Sequence, residues 1–466
     1  MCGIIGVIAK QEASPLLIES LKRLEYRGYD SAGIATLING GIERRRAEGK
    51  LVNLETLVGK DPVQGTVGIG HTRWATHGKP NETNAHPHMS GKVAIVHNGI
   101  IENFRELRDD LQAQGRVFES ETDSEVIAQL IDLNMQAGMD PVDAFEAALA
   151  KLTGAFAIAA IFTDRDDLLI GARRGSPLVL GYGDGEMFLG SDAIALAPFT
   201  RDVTYLEEGD WVVLTPRSHD IRSADGARVN RPRVTSAVND ALIERGEYDH
   251  FMLKEIHEQP ESLARSILPY INQASQAIEL GEVADKLFAE ADRAVAIACG
   301  TAYFAAHTAK YWFEQKARLA LETDIASEFR YRAPVLPQSG PALFVSQSGE
   351  TADTLAALRY CRQNGTPAVA VVNVPESSIA REAAAIVPTH AGPEIGVAST
   401  KAFTAQLSVL AVLALNAAKA RGHLLPGDEA AAVKSLLALP RKVTEALEAQ
   451  DDIREIAKTL VHCRDV

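Results

Sequence analysis

The sequence is poor in the residues that disulfide frameworks, thiolate metal sites and nucleic-acid-binding faces require. Its 466 residues include four cysteines, at positions 2, 299, 361 and 463, and no CxxC pair. This pattern argues against a disulfide framework and predicts a reduced, cytoplasmic protein. Lysine and arginine number 47 against 62 acidic residues, which gives a net charge of −15 and argues against a nucleic-acid partner.

Long uninterrupted hydrophobic runs are also missing. The most apolar stretch, residues 402–418, contains the polar residues Thr404, Gln406, Ser408 and Asn416. It therefore predicts a buried core helix and no membrane span. A chain of this length is expected to form two or three domains.

The start of the chain permits two interpretations of Cys2. No signal peptide is evident, so removal of Met1 would leave Cys2 with both a thiol and a free α-amine. Because an α-amine titrates at about 7.7–8.0, it could act as the base for its own thiol nucleophile. Residues 2–9 are also good strand sequence, in which Cys2 would simply be buried. Without evidence from other parts of the chain, the strand sequence favours a buried, structural cysteine at position 2.

Polar groups with two possible roles recur through the first half. Asn98-Gly99 follows a strand at 93–97 and could form a hairpin turn or an oxyanion hole. Arg73, at a strand end, could clamp a carboxylate through its planar guanidinium group. Thr122 or Asp123 could cap the helix predicted at 124–136, whereas Asp123 could instead receive an ammonium group.

His86 and His88 could chelate a metal from a strand. No cysteine or carboxylate completes a recognisable set, and the intervening Pro87 favours an ordered loop, so we expect no metal site.

Five motifs occur in a characteristic order. They are Cys2-Gly-Ile-Ile-Gly, Tyr26-Arg-Gly-Tyr-Asp-Ser-Ala-Gly, His71-Thr-Arg-Trp-Ala-Thr-His-Gly, His97-Asn-Gly-Ile-Ile-Glu-Asn and Ser120-Glu-Thr-Asp. Together they resemble the class-II glutamine amidotransferases, in particular the glutaminase half of the glutamine–fructose-6-phosphate aminotransferase family. The resemblance implies an α+β N-terminal-nucleophile hydrolase fold, an αββα sandwich.

The resemblance also implies residue roles. Cys2 would be the nucleophile, and Asn98 with Gly99 the oxyanion hole. Trp74 would gate the released ammonia, and Arg27 would lie near the nucleophile. The residues implied to bind glutamine are Arg73, Trp74, Thr76, His77 and Asp123.

The second half changes to apolar strands alternating with helices. Strands at 294–298, 342–345, 368–372 and 384–388 predict an α/β doubly wound parallel sheet, whose ligands bind at the carboxyl ends of the strands. The loop 346–351, Ser-Gln-Ser-Gly-Glu-Thr, follows the second strand and could cradle a phosphate or merely cap a structural helix. It matches neither a P-loop nor a GxGxxG motif, so a nucleotide is not indicated.

With Cys299-Gly-Thr and the segment 394–401, this loop resembles the first sugar-isomerase (SIS) domain of the same family. The resemblance implies fructose 6-phosphate as ligand. Lys401 is expected to be structural and not a Schiff-base lysine. The residues implied to bind the sugar phosphate are Thr301, Ser346, Gln347, Ser348, Thr351, Val397 and Ser399.

The resemblance implies a glutaminase domain at 2–217, a linker with interdomain helices at 218–284, a first SIS domain at 285–424 and, at 425–466, the helical start of a missing second SIS domain. The expected activity converts fructose 6-phosphate and glutamine to glucosamine 6-phosphate and glutamate, in a homodimer without metal or cofactor. The alternative is a truncated chain limited to glutamine hydrolysis and sugar-phosphate binding. An amidotransferase with another acceptor and a non-enzymatic sugar-phosphate sensor are less compatible with these motifs.

Overall fold

The computed structural model describes residues 2–25, 28, 30–74, 78–236 and 245–464. The chain divides into two compact units, residues 1–244 and 245–466. Arg27, Thr76 and His77, all expected near the glutaminase site, lie outside the described residues.

The first unit contains two antiparallel sheets. The larger has the strand order β14-β11-β9-β10-β1-β4-β2-β3 and the smaller the order β13-β12-β8-β7-β6-β5. The elements are β1 (Gly3–Ile8), α1 (Ala13–Lys22), β2 (Ser31–Ile38), β3 (Gly41–Glu48), α2 (Leu51–Lys60), β4 (Val67–Arg73), β5 (His88–Ser90), β6 (Val93–Ile101), α3 (Phe104–Ala113), α4 (Glu125–Gln136), α5 (Pro141–Leu149), β7 (Gly154–Phe162), β8 (Arg165–Arg174), β9 (Val179–Tyr182), β10 (Met187–Gly190), α6 (Ala193–Leu196), β11 (Asp202–Tyr205), β12 (Trp211–Thr215), β13 (Ser218–Arg222) and β14 (Val234–Thr235).

Strand alternation creates the layers of this unit. On the inner faces, Ile4 of β1 and Ile69 of β4 share one apolar cluster with Val96 of β6. On the outer face of the larger sheet, side chains of α1 lie over the glycines of β4. Outer residues of the smaller sheet pack with α4 and α5 through residues such as Phe145. The result is the αββα sandwich that was predicted.

Strand β6 continues through Asn98 and Gly99, which pair with Ala157 and Phe156 of β7. The pair therefore does not form a hairpin turn. Gly99 has φ +123°, and a Cβ there would lie 2.0 Å from the carbonyl oxygen of Ala155. Because only glycine fits this backbone and this close approach, the Asn-Gly sequence here reflects a special strand position.

The expected linker at 218–284 is not one segment. Strand β13 pairs with β12, and β14 pairs with β11, so residues 218–236 extend the sheets of the first unit. Strands β13 and β14 are short, peripheral and only partly buried, so they contain polar residues where a central strand would have apolar ones. The sequence of this segment therefore resembles a linker. Residues 245–284 belong to the second unit.

The second unit is built on a five-stranded parallel sheet with the order β18-β17-β19-β20-β21. Its elements are α7 (Phe251–His257), α8 (Gln259–Ile267), β15 (Ile271–Asn272), β16 (Ala277–Ile278), α9 (Glu282–Ala289), β17 (Arg293–Ala298), α10 (Gly300–Trp312), β18 (Ala320–Ile325), α11 (Ala326–Phe329), β19 (Ala342–Ser346), α12 (Ala352–Gln363), β20 (Ala368–Val372), α13 (Ser378–Glu382), β21 (Ala385–Pro388), α14 (Lys401–Ala420), α15 (Pro426–Leu447) and α16 (Gln450–Leu460).

Helices cover both faces of this sheet, as a doubly wound fold requires. Helices α10 and α14 pack on one face and α11 and α12 on the other. Among the described residues, α14 is the one helix long and apolar enough to cross a membrane, and 72% of its most apolar window is buried inside this unit. Its burial agrees with the expected core helix.

Candidate active site

Cys2 lies at the end of the sandwich, immediately before β1. Strand β1 runs antiparallel to β4, with Gly3 opposite Thr72, so Cys2 comes beside the last residues of β4. The backbone N–H of Trp74 donates to the Cys2 Sγ over 3.2 Å. This hydrogen bond connects Cys2 with a residue 72 positions later in the chain.

Two opposing influences act on the Cys2 thiol. Burial raises its pKa, because the thiolate loses hydration, and the N–H of Trp74 opposes that rise by donating to the sulfur. The thiolate is the nucleophilic form. The geometry thus supplies a preformed donor to the thiolate but still requires a base to take its proton.

Asn98 reaches this position from the opposite sheet. Its side chain lies on the inner face of β6, where the Nδ2 group donates to the carbonyl oxygen of Cys2 over 3.0 Å. Its Oδ1 accepts from His71 Nε2, 2.9 Å away on β4. Gly99 follows as an exposed residue. The structure therefore brings Cys2, Trp74, Asn98 and Gly99 to one end of the two sheets.

Gly28 allows the neighbouring loop to approach this centre. A Cβ at Gly28 would lie 2.6 Å from the carbonyl carbon of Arg73 and 2.9 Å from the nitrogen of Trp74. Backbone atoms this close cannot be moved without displacing the N–H that contacts the Cys2 sulfur. Position 28 thus requires glycine because a side chain there would collide with the backbone of Arg73 and Trp74.

Arg73 and Asp123 lie at the ends of the two strands, β4 and β6, that carry His71 and Asn98. Arg73 ends β4, two residues after His71, and its guanidinium donates to the carbonyl oxygens of Gly78 and Lys79. Asp123 accepts the N–H of Ile101, at the end of β6, over 2.8 Å. Asp123 does not cap α4, whose N-cap residue is Ser124.

The buried histidines form a stack beneath the site. The rings of His71 and His86 lie 4.1 Å apart and nearly parallel, and His88 packs edge-on against His86 at 4.5 Å. His86 Nδ1 accepts the backbone N–H of His97, and His88 Nε2 contacts Thr122 Oγ1. Within the described part of the chain, no group of three or more potential ligands could hold a metal ion.

Sequence reasoning missed the role of His71. Its contact with Asn98 depends on how the two sheets face each other, which no spacing in the sequence reveals. A weaker signal was available, because residues 69, 71 and 73 alternate onto the same inner face of β4.

In the second unit, loop 346–351 follows β19 and leads into α12. The Ser346 Oγ lies 3.0 Å from Thr351 Oγ1 and accepts the N–H of Gly349 over 3.1 Å. Ser348 Oγ accepts the N–H of Glu350. Gly349 has φ +64°, and a Cβ there would lie 1.9 Å from Ser377 Oγ. The loop is a tight turn held by its own hydroxyl groups.

The other expected sugar-site residues share the carboxyl edge of the sheet with this loop or connect to it. Thr301 is exposed in the first turn of α10, which follows β17, the neighbour of β19. Gln347 Nε2 donates to the carbonyl oxygen of Gly392 over 3.4 Å, linking the loop to the segment before α14.

Two carboxylates hold that segment, which carries the exposed Val397 and the half-buried Ser399. Glu255 Oε1 accepts the N–H groups of Ile395 and Gly396 over 2.5 and 3.0 Å. Glu394 accepts the Ser399 hydroxyl over 3.0 Å.

Lys401 is engaged in an ion pair. Its Nζ lies 2.6 Å from Glu258 Oε2, and its side chain is 4% exposed. This partner supports the structural role expected for Lys401.

Comparison with known proteins gives relatives over the whole chain. A family profile described as a glutamine amidotransferase domain matches residues 71–198, and one described as a SIS domain matches residues 287–416. The glutamine–fructose-6-phosphate aminotransferase [isomerizing] of Bradyrhizobium diazoefficiens is 54% identical over 466 residues, which cover 100% of this chain and 77% of that protein. The protein of the same name from Caulobacter vibrioides is 55% identical over 467 residues, with the same coverage.

The chain belongs to the glutamine–fructose-6-phosphate aminotransferase family. A solved C-terminal domain of the Francisella tularensis enzyme is 39% identical, with a TM-score of 0.46, and covers 47% of this chain and 61% of that one. The family membership that the five motifs predicted is confirmed by the curated relatives. It also accounts for the order of the domains, with a glutaminase-type sandwich first and a SIS domain second.

Proposed function

We propose that this chain transfers the amide nitrogen of L-glutamine to fructose 6-phosphate, giving glucosamine 6-phosphate and glutamate, the first step of amino-sugar synthesis. The observation that carries the proposal is the convergence of Cys2, the Trp74 N–H and the Asn98 amide at one end of the sandwich. Identity of 54% to relatives named for this reaction supports it.

The glutaminase step begins at Cys2. After removal of Met1, the free α-amine of Cys2 takes the thiol proton, and the sulfur attacks the side-chain carbonyl carbon of glutamine. The resulting tetrahedral intermediate breaks its C–N bond, and the proton held by the α-amine goes to the leaving nitrogen to give ammonia. Water then attacks the thioester, the C–S bond breaks, and glutamate leaves with the thiol restored.

Negative charge develops on the former carbonyl oxygen in that intermediate. The Asn98 Nδ2 group and the Gly99 N–H are the donors proposed to stabilise it, since removal of one such donor typically costs about 10²–10³ in kcat. Gly99 has φ +123° and is exposed, a backbone position that leaves room for a substrate atom beside it.

Arg73 and Asp123 are proposed to hold the α-carboxylate and α-ammonium of glutamine. The guanidinium of Arg73 suits a carboxylate, and Asp123 supplies the opposite charge near the end of β6. Trp74, whose side chain is 46% exposed, is proposed to gate the released ammonia. Thr76 and His77 are proposed to complete the glutamine site, and Arg27 to lie near the nucleophile.

The SIS unit is proposed to bind fructose 6-phosphate at the carboxyl edge of its sheet. The phosphate would be held by the hydroxyl groups of loop 346–351 and by the first N–H groups of α12, whose N-cap residue makes no side-chain cap hydrogen bond. The residues assigned to this site are Thr301, Ser346, Gln347, Ser348, Thr351, Val397 and Ser399.

The protein is further proposed to be a cytoplasmic homodimer. The dispersed cysteines support a reducing compartment. The net charge of −15 argues against a nucleic-acid partner. The chemistry above uses only side chains and the chain's own amine, so we expect no metal or organic cofactor.

The test measures glutamate and glucosamine 6-phosphate separately. Cys2→Ala should abolish glutamate release, while Cys463→Ala, which changes an exposed cysteine, should leave it unchanged. Glutamate release by Cys2→Ala at the wild-type rate would refute the nucleophile. Glutamate formation without glucosamine 6-phosphate, with both substrates present, would limit the activity of this chain to glutamine hydrolysis.

A further inference from the structure

His71 is placed between two hydrogen-bond acceptors. Its Nε2 lies 3.1 Å from the carbonyl oxygen of His97 and 2.9 Å from Asn98 Oδ1. Its side chain is 1% exposed, so these contacts are shielded from water. The His71 ring thus bridges β4 of one sheet and β6 of the other at the position of Asn98.

The His97 carbonyl determines the tautomer of His71. A carbonyl oxygen can only accept, so Nε2 must carry the proton. The same N–H faces the Asn98 amide at 2.9 Å and would repel its NH2 group, which selects the amide orientation with Oδ1 toward His71. The Nδ2 group is consequently directed to the other side, where it contacts the backbone of Cys2.

This donor does not change its charge in the working pH range. Burial lowers the pKa of His71 to about 3, with the nearby His97 and Arg73 adding to the effect. The Asn98 contact acts in the other direction but does not overcome burial. His71 is therefore a neutral Nε2–H donor near neutral pH, and its low pKa makes it too weak a base to take the proton of the Cys2 thiol.

We propose that His71 is a positioning residue for glutamine hydrolysis, which holds the Asn98 amide with its Nδ2 group toward the reacting centre. The inference rests on the proposed function, in which Asn98 stabilises the tetrahedral intermediate. Without His71, only the carbonyl oxygen of Cys2 holds the Asn98 amide in this orientation, so the amide can rotate by 180° and present its oxygen to an oxygen that is gaining negative charge. That orientation repels the intermediate and replaces stabilisation with a penalty.

A nearly isosteric pair of variants isolates the N–H group. His71→Gln can place an amide N–H where Nε2 stands, whereas His71→Met fills a similar volume without a donor. We expect His71→Met to lower kcat for glutamate release by about 10- to 100-fold with KM changed by less than about threefold, because the lost orientation affects mainly the transition state. His71→Gln should recover kcat to within about fivefold of the wild type.

A matched control separates positioning from general damage to the core. His88→Met makes the same change in the same stack, but His88 contacts Thr122 and not Asn98. It should keep kcat within about twofold. Alkylation of Cys2 by iodoacetamide should proceed at the wild-type rate in all three variants, because the proposed defect lies at the oxyanion and not at the thiol.

A double-mutant cycle decides the case. In an Asn98→Ala background, His71→Met should lower kcat no further, since there is no amide left to orient. Equal losses from His71→Met in the two backgrounds, or equal kcat for His71→Met and wild type, would overturn the inference. Should His71→Met fail to fold, His71→Asn, whose amide is too short to reach Asn98, serves the same comparison.

Different results would refute the proposed function and the positioning role of His71. If Cys2→Ala or Asn98→Ala retains wild-type glutamate release, the assigned nucleophile or oxyanion hole is wrong whatever His71 does. If both lose activity while His71→Met does not, only the positioning role is wrong.

Discussion

The buried histidine stack makes the first unit sensitive to acid. Burial lowers the pKa of His71 to about 3 and keeps the pKa values of His86 and His88 well below the ordinary value. Three arginines near the stack, Arg44, Arg46 and Arg73, lower these pKa values further because they repel a second positive charge. The three rings therefore stay neutral in the fold at pH values where they would be charged in the unfolded chain.

The sign of the effect follows from proton binding. Below pH 6.5 the unfolded chain binds protons at these histidines and the folded chain does not, so the free energy of unfolding falls as the pH falls. With an unfolded pKa of about 6.5, a histidine that stays neutral in the fold costs at most about 1.3 kcal/mol between pH 7 and pH 5.5. His71, with a folded pKa of about 3, costs this full amount, and His86 and His88 act in the same direction.

The assay is urea unfolding at the two pH values, followed by tryptophan fluorescence. The chain has three tryptophans, at positions 74, 211 and 312. In a Trp312→Phe background, the remaining two report on the first unit alone. His88→Gln removes one titrating ring and keeps an amide that can contact Thr122, so it should reduce the pH effect, by at most about 1.3 kcal/mol.

Comparison of the two proteins cancels the carboxylates that titrate in both. The reasoning is refuted if His88→Gln and its parent lose the same free energy of unfolding between pH 7 and pH 5.5. A larger loss in His88→Gln would refute it equally, because it would place the acid-sensitive groups elsewhere.

Three further substitutions follow from close contacts. Gly28→Ala should slow alkylation of Cys2 by iodoacetamide by about tenfold or more, since the new Cβ displaces the Trp74 N–H; an unchanged rate would contradict that contact. Gly349→Ala should destabilise the second unit by about 1–3 kcal/mol in urea unfolding and weaken fructose 6-phosphate binding, whereas Gly365→Ala, with a positive φ but open space, should keep the binding. Glu255→Gln should weaken fructose 6-phosphate binding in calorimetry by about tenfold, since the segment before α14 loses its carboxylate acceptor; equal affinity would show that this segment is held otherwise.

Buried parallel strands were the most predictable part of the fold. The expected strand 368–372 agrees with β20, because continuous apolar runs bounded by turn residues have few other interpretations. Strand β18 was missed, since residues 320–325 mix charged and apolar side chains at the sheet edge. Strands β13 and β14 were missed for the same reason: their pairing depends on neighbours that are distant in the chain.

The sequence predicts the candidate site as a set of residues and not as an arrangement. The order of the motifs makes Cys2, Asn98 and Asp123 candidates for the site, yet local reasoning offered a hairpin turn at Asn98-Gly99 and a helix cap at Asp123. Both local interpretations fail because tertiary contacts decide these positions: pairing with β7 for Gly99 and the Ile101 N–H for Asp123. The contact of His71 with Asn98 depends on the packing of two sheets, and the sequence indicates only that His71 lies on the inner face of β4.

The contacts of Cys2 with Trp74 and Asn98 join residues 72 and 96 positions apart, one within a sheet and one between sheets. Such closures are the slow events of folding, since long loops must be ordered before any contact rewards them. A chain still leaving the ribosome therefore has Cys2 before it has the contacts that we propose for glutamine hydrolysis. During refolding, glutaminase activity should therefore recover later than the circular dichroism signal of the β-strands. The activity would then measure how much of the chain has completed its tertiary structure.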